Sequence, residues 1–200
     1  GETVTGVTIM RIDAGLDTGD ILLQREVRIG PDDTAMTLAP RLAEIGAALL
    51  VDTLSRLKSG EITPTPQDHS RATLAPLLKR EDGEIDFRRT AADVWNRLRG
   101  FQPWPGAFSS FRGKNLHVWA AKPLPASEVP VQGRAGAANS PAMGELVVER
   151  DRLYVACRQG SMLELLELQP GGKRRMSARD FIHGYRPKPG ERLGPMFQPW

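Results

Sequence analysis

Residues 61 to 76, Glu-Ile-Thr-Pro-Thr-Pro-Gln-Asp-His-Ser-Arg-Ala-Thr-Leu-Ala-Pro, hold three prolines and no apolar period, which divides the chain into two parts. Proline lacks a backbone donor and pushes the residue before it toward extended conformations, so neither a long helix nor a central strand can run through such a stretch. It reads as an interdomain linker joining a first domain over residues 1–60 to a second over residues 77–200.

The two parts carry different periods. In the first, the apolar runs Val7-Thr8-Ile9-Met10 and Ile21-Leu22-Leu23 predict buried strands on either side of a turn. Leu38, Leu42, Ile45 and Leu49 then recur at helical spacing, which predicts a helix from Thr34 to Ser59 with Asp33 or Thr34 as cap and Gly60 as stop. Pro40 fits poorly there, so an alternative start at Thr37 places it in the first turn, where its missing donor costs nothing. In the second part, Thr90 with Asp93 three residues on caps a helix to about Arg99, with Val94 and Leu98 on its inner face and Gly100 ending it. Five short β-rich runs follow, over 107–111, 116–121, 145–149, 153–157 and 162–168, as a small barrel requires. Residues 123–143, rich in Pro, Ala, Gly and Ser, predict a mobile loop, and a last helix capped by Ser177 sets Phe181 and Ile182 against the barrel. The fold class is α+β.

The turn between the first two strands, Ile12-Asp-Ala-Gly-Leu-Asp-Thr-Gly-Asp20, packs three carboxylates and two glycines into nine residues. Asp13, Asp17 and Asp20 cannot all be buried without partners, and Gly15 and Gly19 let a ligand approach the backbone closely. Two readings stand: a solvated turn with surface acids, or an active-site loop.

Charge divides along the same line. Residues 1–70 carry 6 Lys and Arg against 11 Asp and Glu, and residues 71–200 carry 21 against 13, an excess of +8 that fits contact with a polyanion. Its densest cluster is Lys173-Arg174-Arg175 with Arg179 close behind, a phosphate-contacting loop or simply a solvated one. Trp104, between two prolines, reads as a rigid corner plugging the barrel in preference to a base-stacking platform, and Trp95 and Trp119 read as core. The single cysteine, Cys157, rules out a disulfide framework and reads as a small buried residue of a strand. There is no Cys/His pair at ligand spacing and no phosphate-loop motif, so neither a metal nor a P-loop nucleotide is expected. With no apolar run of membrane-spanning length, a cytoplasmic protein is expected.

Four stretches carry a resemblance. Glu2 through Leu22, with Thr5-Gly6-Val7-Thr8-Ile9-Met10 and Gly15-Leu16-Asp17-Thr18-Gly19-Asp20, resembles the last motif of the catalytic domain of folate-dependent formyltransferases. Glu81-Asp82-Gly83-Glu84-Ile85-Asp86, followed by Asn96-Arg97-Leu98-Arg99-Gly100 and Pro103-Trp104-Pro105-Gly106-Ala107, resembles the start of the C-terminal domain of the methionyl-tRNA formyltransferase branch. Leu168-Gln169-Pro170-Gly171-Gly172-Lys173, continuing to Met176 and Asp180-Phe181, resembles that domain's end.

The resemblance implies the remnant of a Rossmann-like α/β domain followed by an OB-like β-barrel. It implies transfer of a formyl group from 10-formyltetrahydrofolate to the α-amino group of initiator methionyl-tRNA, a step of translation initiation. Asp17 matches the catalytic aspartate that orients and charges a histidine. Asp13, Ala14, Gly15 and Leu16 match the loop whose backbone contacts the folate pterin, and Lys173, Arg174, Arg175 and Arg179 become the tRNA-binding cluster. One departure is severe: the family's Asn-x-His and the Ser-Leu-Leu-Pro run after it lie upstream of Gly1. Together with a start at glycine, this reads as a fragment. Its isolated activity is expected to be negligible, since losing an oxyanion donor alone costs ~10²–10³ in rate. The oligomeric state stays open, with a monomer expected at full length. Two further readings stay open: a non-catalytic basic barrel that binds RNA or a partner, and a formyltransferase for amino sugars.

Overall fold

A computed structural model describes residues 1–125, 128 and 140–194. They form two compact units, one over Glu2–Leu77 and one from Leu78 onward.

In the first unit β1 (Val4–Met10) pairs antiparallel with β2 (Ile21–Arg28), and α1 (Ala35–Lys58) packs on the hairpin. A reciprocal capping box between Thr34 and Thr37 fixes the helix start. The start at Thr37 is therefore not the one adopted, and Pro40 sits in the second turn, where it forfeits a helix hydrogen bond. Asp33 is not the cap; its carboxylate accepts from Gly30 N at 2.7 Å and Arg41 Nη2 at 2.6 Å, tying the entry turn to the helix. The strands were expected to be buried, yet only Val27 among their residues is. One helix covers one face of a two-stranded sheet and leaves the other to solvent, so apolar residues such as Val4 remain exposed.

The segment expected to be a linker is bonded to this unit. Ile21 and Thr65 exchange backbone hydrogen bonds at 2.8 and 2.9 Å, and the Gln67 side chain reaches the loop between β1 and β2. These partners are distant in sequence, and no local pattern reveals them.

In the second unit α2 (Ala91–Gly100) is capped by Thr90 with Asp93, and Val94 and Leu98 are buried. Gly100 is its last residue; Phe101 supplies the cap. The barrel strands are β3 (Phe108–Phe111), β4 (Lys114–Pro123), β5 (Leu146–Glu149), β6 (Arg152–Ala156) and β7 (Met162–Pro170). Two-residue strands β8 (Met176–Ser177) and β9 (Leu193–Gly194) complete the sheet, in the order β5-β6-β7-β4-β3-β9 with β8 on β7. All strand pairs are antiparallel. Near β9 the chain also meets the opposite edge, through a Glu145–Arg192 bridge and a 2.8 Å bond from Leu146 N to Glu191 O, so the sheet curls toward closure. Inside lie Leu153, Val155, Leu163, Leu165 and Leu168. Helix α3 (Ala178–Tyr185), capped by Ser177, drives Phe181 among them, edge-on to Phe111 and stacked on Tyr185. Most of the loop expected over 123–143 lies outside the described residues.

Two tryptophans differ from expectation. Trp104 is 58% exposed, with its indole N–H toward Leu78 O at 3.3 Å, so it plugs nothing. Trp119 points outward from β4, on the same side as Asn115 and His117, in the alternation that buries Leu116 and Val118. Trp95 packs half-buried against the core as expected.

Candidate functional site

The loop from Arg11 to Asp20 closes at its neck with a 2.9 Å bond from Arg11 N to Asp20 O. Within it, Asp13 Oδ1 accepts from Gly15 N at 3.0 Å and from the Thr18 hydroxyl at 2.6 Å. The Thr18 hydroxyl first, and the Gly15 N–H second, hold the Asp13 carboxyl below the usual carboxylate range. Asp13 is therefore a brace of the loop, its side chain turned to its own backbone.

The glycines serve that same closure. A Cβ on Gly15 would collide with Thr18 Oγ1, and one on Gly19 would collide with Arg11 O. Room for a ligand is thus not what excludes side chains here; the loop packs against itself. What it presents outward is Asp17, in the left-handed region at φ 53°, a conformation that aspartate tolerates better than most residues. Its carboxylate meets no hydrogen-bond or ion-pair partner among the described residues. The backbone N–H and C=O groups of Ala14 and Leu16 are likewise without partners there, and Ile12 and Leu16 are 95% and 85% exposed. A free carboxylate beside free peptide edges and bare apolar side chains can pair a cation and bind the edge of a flat heterocycle.

Sequence reasoning missed Gln67. Its Nε2 donates to Asp17 O at 2.9 Å and to Gly19 O at 2.7 Å, across about fifty residues of chain. Only the proline-bounded setting of this residue hints at order, and nothing local names its partners.

On the second unit, the basic turn 171–175 follows β7. Lys173 and Arg174 are exposed and, among the described residues, their side chains have no ion-pair partner. Arg175 pairs with Glu167 at 3.2 Å and lies 4.1 Å over the Trp119 ring. Arg179 stands apart on α3 and pairs with Asp151 at 3.4 Å. The four predicted residues are thus two free cations and two engaged ones. The turn is held by Gln169, which accepts from Trp119 Nε1 at 2.8 Å and donates to Lys173 O at 2.9 Å. Beside it a groove of about 260 Å³ is lined by Asn115, His117, Trp119, Gln169 and residues 170–172. Burial, and then the Arg80 charge, push His117 below the usual histidine range, so it adds no positive charge at neutral pH.

The other candidates are inert. Burial pushes the Cys157 thiol up to about 12, which leaves no thiolate for nucleophilic work. Among the described residues no group of three or more His, Cys, Asp or Glu could hold a metal ion, and no helix is long and apolar enough to cross a membrane.

Comparison with known proteins addresses both units. The family described as "Formyl transferase" matches residues 1–54, and "Formyl transferase, C-terminal domain" matches residues 77–186. A protein of Koribacter versatilis (strain Ellin345) named methionyl-tRNA formyltransferase is 55% identical over 97% of this chain and 58% of its own length. One of Solibacter usitatus (strain Ellin6076) with the same name is 50% identical over the same shares. The chain therefore spans somewhat under two thirds of the length of these relatives. Among solved structures, an N-formyltransferase from Helicobacter canadensis, in complex with folinic acid and dTDP-3-aminofucose, shares the fold at TM-score 0.58 and 18% identity. It covers 84% of this chain and 56% of that one.

Proposed function

The chain belongs to the formyl transferase family, and from that premise we propose that it serves the transfer of a formyl group from 10-formyltetrahydrofolate to the α-amino group of initiator methionyl-tRNA in the cytoplasm. The observation that carries this reading is the high identity, across both units, to relatives named methionyl-tRNA formyltransferase. The amino-sugar reading is weaker, since the Helicobacter enzyme shares only the fold, and fold does not transfer a substrate.

On this reading Asp17 is the loop's working group. Its unpartnered carboxylate accepts a hydrogen bond from an imidazole supplied by sequence upstream of Gly1, fixes that ring's tautomer and raises its pKa, so that the ring can hold a proton near neutral pH. The residues present fit the folate in one respect: Ala14 and Leu16 offer free peptide N–H and C=O groups, the complement of a pterin edge, with the Leu16 side chain beside them. Asp13 and Gly15 contribute by shaping the loop, because the Asp13 carboxylate and the Gly15 N–H are bonded to each other. When bound, the folate supplies the formyl carbon for the methionine amine. The basic turn at Lys173 and Arg174, with Arg175 and Arg179 as secondary contacts, holds tRNA phosphates.

The test joins this chain behind the upstream portion of the Koribacter relative and measures formylation of methionyl-tRNA. Activity is expected, and Asp17→Asn is expected to lower kcat by ~10²-fold or more, as loss of an orienting carboxylate does in other acid–base sites. Full activity in Asp17→Asn would remove Asp17 from the reaction.

A further inference from the structure

We propose that Gln67 is a positioning residue for Asp17, so that the segment leaving the first unit sets the geometry of the candidate active-site loop. This rests on the reading of Asp17 given above. Gln67 is half-buried, and its Nε2 carries two hydrogens. One points to Asp17 O and the other to Gly19 O, at 2.9 and 2.7 Å, with Met10 Sδ 3.7 Å away. Both oxygens are peptide carbonyls that can only accept, so the orientation of the amide is fixed by chemistry: nitrogen inward. Two residues earlier, the paired bonds between Thr65 and Ile21 hold the backbone at the base of the same loop. Gln67 is thus delivered to the loop on a segment anchored by that bridge and grips it at two points.

The grip falls where the loop needs it. Asp17 is a non-glycine residue at φ 53°, a conformation that costs about 1–2 kcal/mol for an L-residue and persists only where the surroundings enforce it. The Asp13 brace ties Gly15 and Thr18, on either side of Asp17, but makes no bond to Asp17 itself. Among the described residues Gln67 makes the side-chain contact to Asp17, through the backbone carbonyl, leaving the carboxylate clear. Releasing it lets Asp17 relax from the left-handed region and turns its carboxylate away. A displacement of about 1 Å at a positioned group costs up to ~10²-fold in rate.

The experiment uses this chain joined to the upstream portion of the Koribacter relative. Gln67→Ala is expected to lower kcat ~10–100-fold with the KM for methionyl-tRNA changed less than about twofold. Gln67→Glu, nearly isosteric, sets a carboxylate against two carbonyl oxygens and is expected to lose more than Gln67→Ala; a space-filling role would predict the reverse. Adding Gln67→Ala to Asp17→Ala is expected to cause no further loss, because the glutamine acts through the aspartate. Gln67→Ala at wild-type kcat, or a full extra loss on top of Asp17→Ala, overturns the proposal. Should the joined protein not formylate methionyl-tRNA at all, the functional reading falls instead. The positioning claim is then decided in the 200-residue chain by amide exchange. Faster exchange of the hydrogen-bonded Gly15 and Arg11 amides in Gln67→Ala, with Leu153 and Leu165 unchanged, sustains it; unchanged exchange at both overturns it.

Discussion

Removing Lys173 and Arg174 together should flatten the salt dependence of tRNA binding, whereas removing Arg179 should barely change it. The difference follows from partners. Lys173 and Arg174 face solvent without counter-charges among the described residues, so their association with phosphate is a net neutralisation that releases counterions. Arg179 already faces Asp151 at 3.4 Å, and Arg175 faces Glu167 at 3.2 Å while stacked on Trp119. When either turns to a phosphate it abandons a carboxylate, which then gathers a cation from solution, and the net release is small. Exposed pairs of this kind are worth only about 0–1 kcal/mol, so the exchange is cheap in energy yet nearly silent in salt. With a slope of about −0.9 per neutralised phosphate, the double variant Lys173→Ala/Arg174→Ala should be flatter than the wild type by about 1.8 in log Kd against log salt. Between 50 and 200 mM salt the affinity gap between the two proteins should therefore shrink by about 12-fold. The assay is fluorescence anisotropy of labelled initiator tRNA with the 200-residue chain over that range. Arg179→Ala should shift the slope by less than about 0.5. Equal slopes for wild type and double variant, or an Arg179→Ala effect as large as that of the pair, would refute the reasoning.

Three further outcomes follow from the same geometry. Glu164 is buried and accepts two bonds from Arg152, at 2.7 and 2.9 Å, with Lys122 at 3.3 Å, whereas both cations are about half exposed. Arg152→Met leaves the buried carboxylate with Lys122 alone, stripped of two hydrogen bonds, and should cost about 2–4 kcal/mol in urea unfolding, while Glu164→Leu releases cations that water can take and should cost under about 1 kcal/mol; the opposite order contradicts the asymmetry. Gly19→Ala forces a Cβ into Arg11 O and should cost the first unit about 1–3 kcal/mol, read as faster exchange of the Arg11 amide; unchanged exchange would show that the neck of the loop yields freely. The Arg112 guanidinium, and then the Lys188 N–H, hold the Glu191 carboxyl down at about 2. Because the folded state depresses this pKa, the stability it adds is fully present above about 4.5 and disappears as pH falls toward 2. The difference in unfolding midpoint between wild type and Glu191→Gln should therefore close across that window, and a constant difference would contradict the assignment.

Much of the fold was legible because its signals are local. The Thr90–Asp93 cap, the Leu38–Leu49 spacing and the five β-rich runs each report on neighbours within a few residues, and each is found within two residues of its predicted bounds. Illegible features depend on distant partners. Trp119 lies on the outer side of β4 with Asn115 and His117, where Gln169, fifty residues on, accepts from its indole and Arg175 covers its ring. Strands β8 and β9 are too short to carry a period. In the candidate site, the composition of the loop from Asp13 to Asp20 pointed to unusual backbone but not to its cause. Gly15 and Gly19 are required by contacts with Thr18 and Arg11, and Asp17 is held by a glutamine in a segment that reads as a linker.

The joined protein offers the most direct measurement. Methionyl-tRNA and a nucleotide-linked amino sugar are supplied together with 10-formyltetrahydrofolate, and both acceptors are weighed by mass spectrometry for the added formyl group. The account predicts formyl-methionyl-tRNA with the sugar unchanged; a formylated sugar with unmodified methionyl-tRNA would contradict it.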